Sequence, residues 1–256
     1  MPFARLSGIL GGMLELVAHR GYPARFPENS LVGMRAALES GARYVEFDVH
    51  FSRDGIPVVL HDATLRRVTG RRGTVFQMDY ADIAARPAGE PSRFGDRYRD
   101  CRLPRLESML ELIEEYPGVT AFVEVKRASL KKLGRETAMQ VLRAALLARR
   151  EWAVLLSFDR KLVAMGHGEF RTGWAFEPWK IHHLRDARAL EPEFLFTSVR
   201  GLPPGTEAFW QGPWRWAVYD VADLAQAEWL HAVGADLIET DFIGDWLPEK
   251  AVADER

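Results

Sequence analysis

Short apolar runs alternate along the chain with longer stretches in which apolar residues recur every three or four positions. The runs are LELVA at 14–18, YVEFDV at 44–49, TAFVEV at 120–125, AVLLSF at 153–158, TGWAF at 172–176, EFLFTSV at 193–199, WRWAVY at 214–219 and DLIET at 236–240. Their length and their content of β-branched and aromatic residues predict eight strands. Amphipathic periodicity predicts helices over 30–39, 106–115, 130–150 and 221–233. Strand followed by helix, repeated with short glycine-containing links, calls for a parallel sheet. Eight such units predict an α/β fold of the closed (β/α)8 TIM barrel type.

A ninth run, PVVLH at 57–61, follows the turn signal Asp54-Gly55. If the second strand overshoots the barrel mouth and reverses there, His61 returns to the C-terminal face, where active sites of this fold lie. From 64 to about 103 the periodicity fails, and GRRG and RPAGEPSRFGDRYRD replace it. Loops of this length usually carry structure or function of their own. The expectation is a small inserted subdomain over the barrel mouth at about 64–103; a solvated charged excursion is the other reading.

A chain of 256 residues has room for two ordinary domains or one barrel. The strand count selects one barrel over 1–256. With 47% apolar and 27% charged residues, the composition is that of a globular protein with ample core. The formal net charge of -2 offers polyanions no overall attraction, so no nucleic-acid partner is expected and any phosphate site must be local. Cys101 is alone, which excludes an internal disulfide and a multi-cysteine zinc site and fits a cytoplasmic setting. No run approaches the roughly 18 apolar residues of a membrane span, so no stable membrane insertion is expected. The apolar stretch 6–18 is broken by Gly8, Gly11, Gly12 and Glu15 and leads directly to His19. The first dozen residues read as an extension, with Met13 as an alternative start.

Candidate chemistry concentrates between Ala18 and Asp62. Glu46 and Asp48 are two apart on one strand, so they share a face. Glu124 and Lys126 repeat the arrangement in FVEVK. Three carboxylates converging on one barrel mouth form a hard oxygen site suited to one divalent cation, Mg2+ or Ca2+ with Mn2+ also fitting; structural salt bridges are the bland alternative. With Arg20 and Lys126 these charges sum to about +1, a match for a singly charged phosphodiester. Arg20 would supply forked donors to phosphate, and Lys126 a point charge for substrate or for Glu124.

His19 and His61 arise from separate strand ends, and two histidines near neutral pKa can serve as acid and base in one displacement. Asn29 either orients a ligand group or caps the helix starting near Ser30, while Glu28 reads as part of that turn. His50 continues the Glu46 and Asp48 face but reads better as structural. His167 and the pair His182-His183 read as surface residues. Phe158, Trp174, Phe176, Trp179 and Trp216 are equally suited to a pocket wall and to core packing.

These residues occur in a specific order: His19-Arg20-Gly21, Pro27-Glu28-Asn29, Glu46-Phe47-Asp48, Asp54-Gly55, His61-Asp62 and Glu124-Val125-Lys126. In both order and spacing the chain resembles the glycerophosphodiester phosphodiesterase family. The likeness is dense from Ala18 to Thr69 and resumes at Glu124, Ser157-Phe158, Trp216 and 234–241.

The resemblance implies a barrel with a small insertion, a divalent ion held by Glu46, Asp48 and Glu124, and acid-base catalysis by His19 and His61. Arg20, Asn29, Lys126 and Trp216 would contact substrate. It further implies a small-molecule glycerophosphodiester substrate, cleaved to glycerol 3-phosphate and an alcohol, with a glycerol hydroxyl attacking first to give a cyclic phosphate. Tyr219 departs from the family, which often has asparagine there; Arg105 departs harmlessly at a helix start. Two other activities compete: lysophospholipase D cleavage of the same bond in a lipid that keeps one acyl chain, and phosphate-ester binding without turnover.

Overall fold

The computed structural model describes residues 14–247, and within them nine strands form one sheet. They are β1 (Glu15–His19), β2 (Tyr44–Phe51), β3 (Pro57–Val59), β4 (Thr120–Val125), β5 (Ala153–Ser157), β6 (Arg171–Ala175), β7 (Phe194–Ser198), β8 (Arg215–Tyr219) and β9 (Leu237–Thr240). β1 pairs in parallel with both β2 and β9, so eight parallel strands close into a barrel. β3 is the exception. It runs antiparallel on the far end of β2, with Val49 opposite Val59 and Phe51 opposite Pro57. The reversal uses Gly55 at φ +80°, a conformation that glycine adopts without penalty.

The alternation of each strand explains where its polar groups go. On β2, Val45, Phe47 and Val49 join the core under the surrounding helices, which leaves Tyr44, Glu46 and Asp48 facing the barrel interior. Inside, Val17, Phe122, Val154, Leu156, Phe194, Phe196, Ala217 and Leu237 pack together, with Phe122 edge-on to Phe194 and Phe196 at 4.9 Å. Two residues further along the same inner faces come His19, Glu124, Tyr219 and Glu239. β1, β4, β8 and β9 therefore run from an apolar plug to a polar tip at the C-terminal end, whereas the inner face of β5 leads from Leu156 to the apolar Phe158.

The helix expected over 130–150 is two helices, Arg127–Leu133 and Arg135–Leu146, followed by a short 3-10 turn. Gly134 separates them at φ +87°, ψ 147°, a conformation outside the helical region that disfavours any side chain. Between β7 and β8 the chain makes only a 3-10 turn, Val199–Gly201, before an irregular segment.

Residues 64–104 form short helical turns around a separate small core of Leu65, Val68, Val75, Ile83, Ala88 and Leu103 with Val58 and Leu60. Turns this short carry no sustained apolar period, which is why the sequence there reads as patternless. The segment docks on the loop after β1: the Arg93 guanidinium donates to the Pro23 carbonyl, and the Glu28 backbone N–H donates to Glu90 Oε1 at 2.6 Å. No helix among the described residues is long and apolar enough to cross a membrane. The N-terminal extension and the alternative start at Met13 lie outside the described residues.

Candidate active site

β1 ends at His19, and the chain then turns through Arg20 at φ +51° and Gly21 at φ +88°. A Cβ on Gly21 would lie 2.8 Å from the backbone of Gly33 and of Met34, so only glycine lets the following helix, Leu31–Glu39, pack flush on this turn. Left-handed backbone at a non-glycine residue persists only where its surroundings hold it. Arg20 is held by its own N–H donating to Glu46 Oε2 at 3.3 Å and by its carbonyl accepting from the Asn29 N–H at 3.0 Å.

Asn29 is buried, and its side chain is committed to Asp48: Nδ2 donates to Asp48 Oδ2 at 2.8 Å and Oδ1 accepts from the Asp48 N–H at 3.1 Å. Where a substrate contact was expected, the side chain orients Asp48. It does not cap the helix; Ser30 Oγ does, accepting from the Gly33 N–H at 3.0 Å. Glu28 is more than a turn residue. Its two carboxylate oxygens accept from Arg67 at 2.6 and 2.7 Å, and the same guanidinium reaches Asp62 at 2.8 Å.

Strand register assembles the acids. His19 lies beside Glu46 across β1 and β2, and Asp48 beside Glu124 across β2 and β4. Glu46, Asp48 and Glu124 offer ligand atoms all within 4.8 Å of one another. Lys126 Nζ stands 2.5 Å from Asp48 Oδ1 and 2.7 Å from Glu124 Oε1, and Arg20 Nε is 3.1 Å from Asp48 Oδ2. Burial alone would raise the Asp48 carboxyl, but Lys126 and Arg20 outweigh it and hold the group well below the usual range. Glu46 moves the other way: burial, and then the Asp48 and Glu239 carboxylates, raise it. Glu46 Oε1 is buried without a hydrogen-bond donor. An orphaned carboxylate oxygen, and an ammonium already standing between two of the acids, show that this donor set calls for positive charge; it fits a hard divalent cation.

Each histidine has a carboxylate on Nδ1. Asp241 Oδ1 lies 2.7 Å from His19, and Asp62 Oδ1 lies 2.8 Å from His61. An ionised carboxylate only accepts, so each ring donates from Nδ1 and presents Nε2 for chemistry. For His19, burial disfavours the charged ring, but Glu239 and Asp241 outweigh it and the pKa rises. For His61, burial together with Arg20 and Lys126 lowers it despite Asp48. The ring of His50 pairs with neither of these two rings. It sits buried between Ser129 Oγ at 2.7 Å and the His61 carbonyl at 3.0 Å, bracing the loop that carries His61.

His19, Arg20, His61, Glu124 and Lys126 line one cavity of about 320 Å³, walled by Leu156, Phe158, Phe196 and Tyr219 and by the acids Glu177, Asp220 and Glu239. A larger depression of about 520 Å³ beside Leu31, Tyr80 and Leu103 carries no histidine and no carboxylate pair, so size does not decide the site. Trp216, expected to contact substrate, is not among the residues that line the cavity. It alternates with Ala217 and Tyr219, so it faces outward, donating from Nε1 to the Trp210 carbonyl at 3.0 Å. Trp174, Phe176 and Trp179 join the same outer aromatic cluster, and of the five aromatics read as pocket wall or core only Phe158 lines the cavity, beside Tyr219.

Glu239 is the functional-site residue that sequence reasoning missed. It is 4% exposed, lies 3.5 Å from His19 Nε2, and is pushed up to about 7 by burial, with His19 opposing and the Glu124 carboxylate adding to the rise. The signal was present, since Glu239-Thr240-Asp241 repeats the spacing of Glu46-Phe47-Asp48 at another strand end.

A profile of the glycerophosphoryl diester phosphodiesterase family matches residues 19–166, from the last residue of β1 through β5, and includes both histidines. The chain belongs to that family. Among curated relatives of this family member, a glycerophosphodiester phosphodiesterase of Caldanaerobacter subterraneus is 28% identical over 88% of this chain and 93% of its own. One from Bacillus altitudinis is 32% identical over 48% of this chain, and there the match spans half of the relative's length. Two solved structures share the fold. The protein from Silicibacter pomeroyi has a TM-score of 0.78 at 21% identity, covering 92% of both chains. The phosphodiesterase from Oleispira antarctica, solved with sn-glycerol-3-phosphate, has a TM-score of 0.75 at 22% identity, covering 91% of this chain and 94% of its own.

Proposed function

We propose that this family member hydrolyses glycerophosphodiesters, such as glycerophosphocholine or glycerophosphoethanolamine, to glycerol 3-phosphate and the free alcohol. The observation that carries the reading is the convergence of two carboxylate-backed histidines, Arg20, Lys126 and Glu124 on one 320 Å³ cavity, with ligand atoms of Glu46 and Asp48 within 4.8 Å of Glu124. The relative from Oleispira antarctica, crystallised with sn-glycerol-3-phosphate, supports the product class. Eight acidic, basic or histidine side chains in a small cavity favour a polar diester over one bearing an acyl chain. Residues 64–103 act in this reading as an insertion whose Arg67 ties Glu28 to Asp62, and so steadies His61.

Glu46, Asp48 and Glu124 would hold one divalent cation, Mg2+ or Ca2+. When bound, it supplies Lewis-acid stabilisation of charge developing on the phosphate oxygens. Arg20, fixed by Asp48 and Glu28, offers the phosphate its remaining donors. One histidine takes a proton from the attacking glycerol hydroxyl while the other protonates the departing alcohol oxygen. The P–O bond to the glycerol hydroxyl forms as the P–O bond to the alcohol breaks, which leaves a cyclic phosphate. In the second step the roles exchange: the histidine that gave its proton takes one from water, and its partner returns one to the glycerol oxygen. Asp241 and Asp62 keep both rings in the tautomer that presents Nε2 throughout.

Hydrolysis of glycerophosphocholine, measured with Mg2+ or Ca2+ and with excess chelator, tests this reading. Chelation is expected to abolish turnover, and His19→Ala or His61→Ala to lower kcat by at least about a hundredfold. Full activity in chelator would remove the cation from the mechanism, and a preference for lysophosphatidylcholine would reassign the substrate. Absence of turnover with every diester would leave a binding barrel.

A further inference from the structure

The carboxylates of the cavity exceed what the oxygen triad accounts for. Across the two acid groups, Glu46, Asp48, Glu124 and Glu239 carry four negative charges when all are ionised, against two positive charges on Arg20 and Lys126, and Glu177 and Asp220 add further acid to the wall. One divalent cation brings that balance to zero and leaves no excess positive charge for an anionic diester. The shortfall is located on one side of the site. Both Asp48 oxygens have partners, Lys126 on Oδ1 and Arg20 with Asn29 on Oδ2. Glu46 Oε1 and Glu239 Oε2, by contrast, are buried and unpartnered, on residues 2% and 4% exposed. These two acids and His19 form a second triad whose ligand atoms lie within 4.8 Å of one another.

We propose that His19, Glu46 and Glu239 form a second cation site, of mixed nitrogen and oxygen donors, that takes a borderline divalent ion such as Zn2+. Two observations give the donor set its chemistry. Imidazole nitrogen with two carboxylate oxygens suits zinc, whereas the all-oxygen triad suits Mg2+ or Ca2+. His19 also donates from Nδ1 to Asp241 at 2.7 Å, the carboxylate–histidine arrangement that orients Nε2 as a metal ligand and raises its basicity. Zinc bound there occupies the Nε2 lone pair, so it withdraws His19 from proton transfer. This inhibitory consequence rests on the proposed acid-base role of His19; the binding itself does not.

Zinc titration of the Mg2+-saturated protein by calorimetry, with X-ray absorption of the one-to-one adduct, tests the site. The expected result is one zinc with an imidazole nitrogen at about 2.0–2.1 Å among oxygen donors. Long-range 1H–15N spectra of the unaltered protein should show the shift at His19 Nε2. Glu239→Gln and His19→Ala should each weaken zinc at least about tenfold, while Glu124→Gln, outside this triad, retains it. An all-oxygen shell, a shift on another imidazole, or affinity unchanged in Glu239→Gln would overturn the site. The X-ray absorption and 1H–15N readouts use the unaltered protein, so they stand even if a variant fails to fold. They are also independent of whether His19→Ala retains hydrolysis, which bears on the proposed reaction alone.

Discussion

Asn29 and Asp48 hold each other by two reciprocal hydrogen bonds, side chain to side chain at 2.8 Å and backbone to side chain at 3.1 Å. The loop after β1 is thereby tied to a proposed cation ligand on β2. Asn29→Ala removes both bonds and leaves at φ +53° a residue that tolerates the left-handed region less well than asparagine, whereas Asn29→Gly removes the bonds and relieves the backbone. Urea unfolding should show losses of about 2–4 kcal/mol for alanine and about 1 kcal/mol less for glycine. Equal losses would mean that the left-handed turn carries no strain.

Gly21→Ala is expected to be worse than its size suggests. The new methyl meets the Gly33 and Met34 backbone at 2.8 Å, and backbone has nowhere to go. A loss of at least about 2 kcal/mol in chemical unfolding is expected. A melting temperature unchanged by the substitution would show that the helix Leu31–Glu39 can move away.

Asp62 gives a pH dependence whose sign follows from its partners. Burial would raise its carboxyl, but Arg67 and His61 outweigh this and hold it at about 2 against an ordinary 3.8. Its folded-state pKa is depressed, so its stabilisation is complete above about pH 4 and is lost as the pH falls through 3.8 towards 2. With the side chain 30% exposed, solvent screening reduces the contribution to about 1 kcal/mol. Asp62→Asn should therefore be less stable than the unaltered protein by about that amount at pH 6, with the gap closing at pH 3. A constant gap in denaturant titrations at both pH values would show that the ionised carboxylate contributes nothing.

Tyr219 walls the cavity, its hydroxyl donating to Glu177 at 3.0 Å and its ring edge-on to Phe158 at 6.3 Å. Tyr219→Asn restores the residue frequent in the family and opens that wall. The ratio of kcat/KM for lysophosphatidylcholine over glycerophosphocholine should rise at least about fivefold. An unchanged ratio would place substrate selection elsewhere.

The barrel was legible from the order of residues alone, because eight strands alternating with helices admit few parallel closures, and each strand writes its two faces into alternating positions. Legible too was that His19, His61, Glu46, Asp48 and Glu124 come together, since all stand at or beyond the C-terminal tips of strands in motifs of fixed spacing. Local pattern does not carry which face of a strand turns inward once a barrel has closed, or which loop lies against which strand. Closure turned Trp216 outward and Tyr219 inward. Packing committed Asn29 to Asp48 rather than to substrate, and drew Arg67 from the segment 64–104 onto Glu28 and Asp62. Glu239 shows the division most plainly: its strand was legible, but the proximity that places it 3.5 Å from His19, about 220 residues away along the chain, exists only when β9 closes against β1.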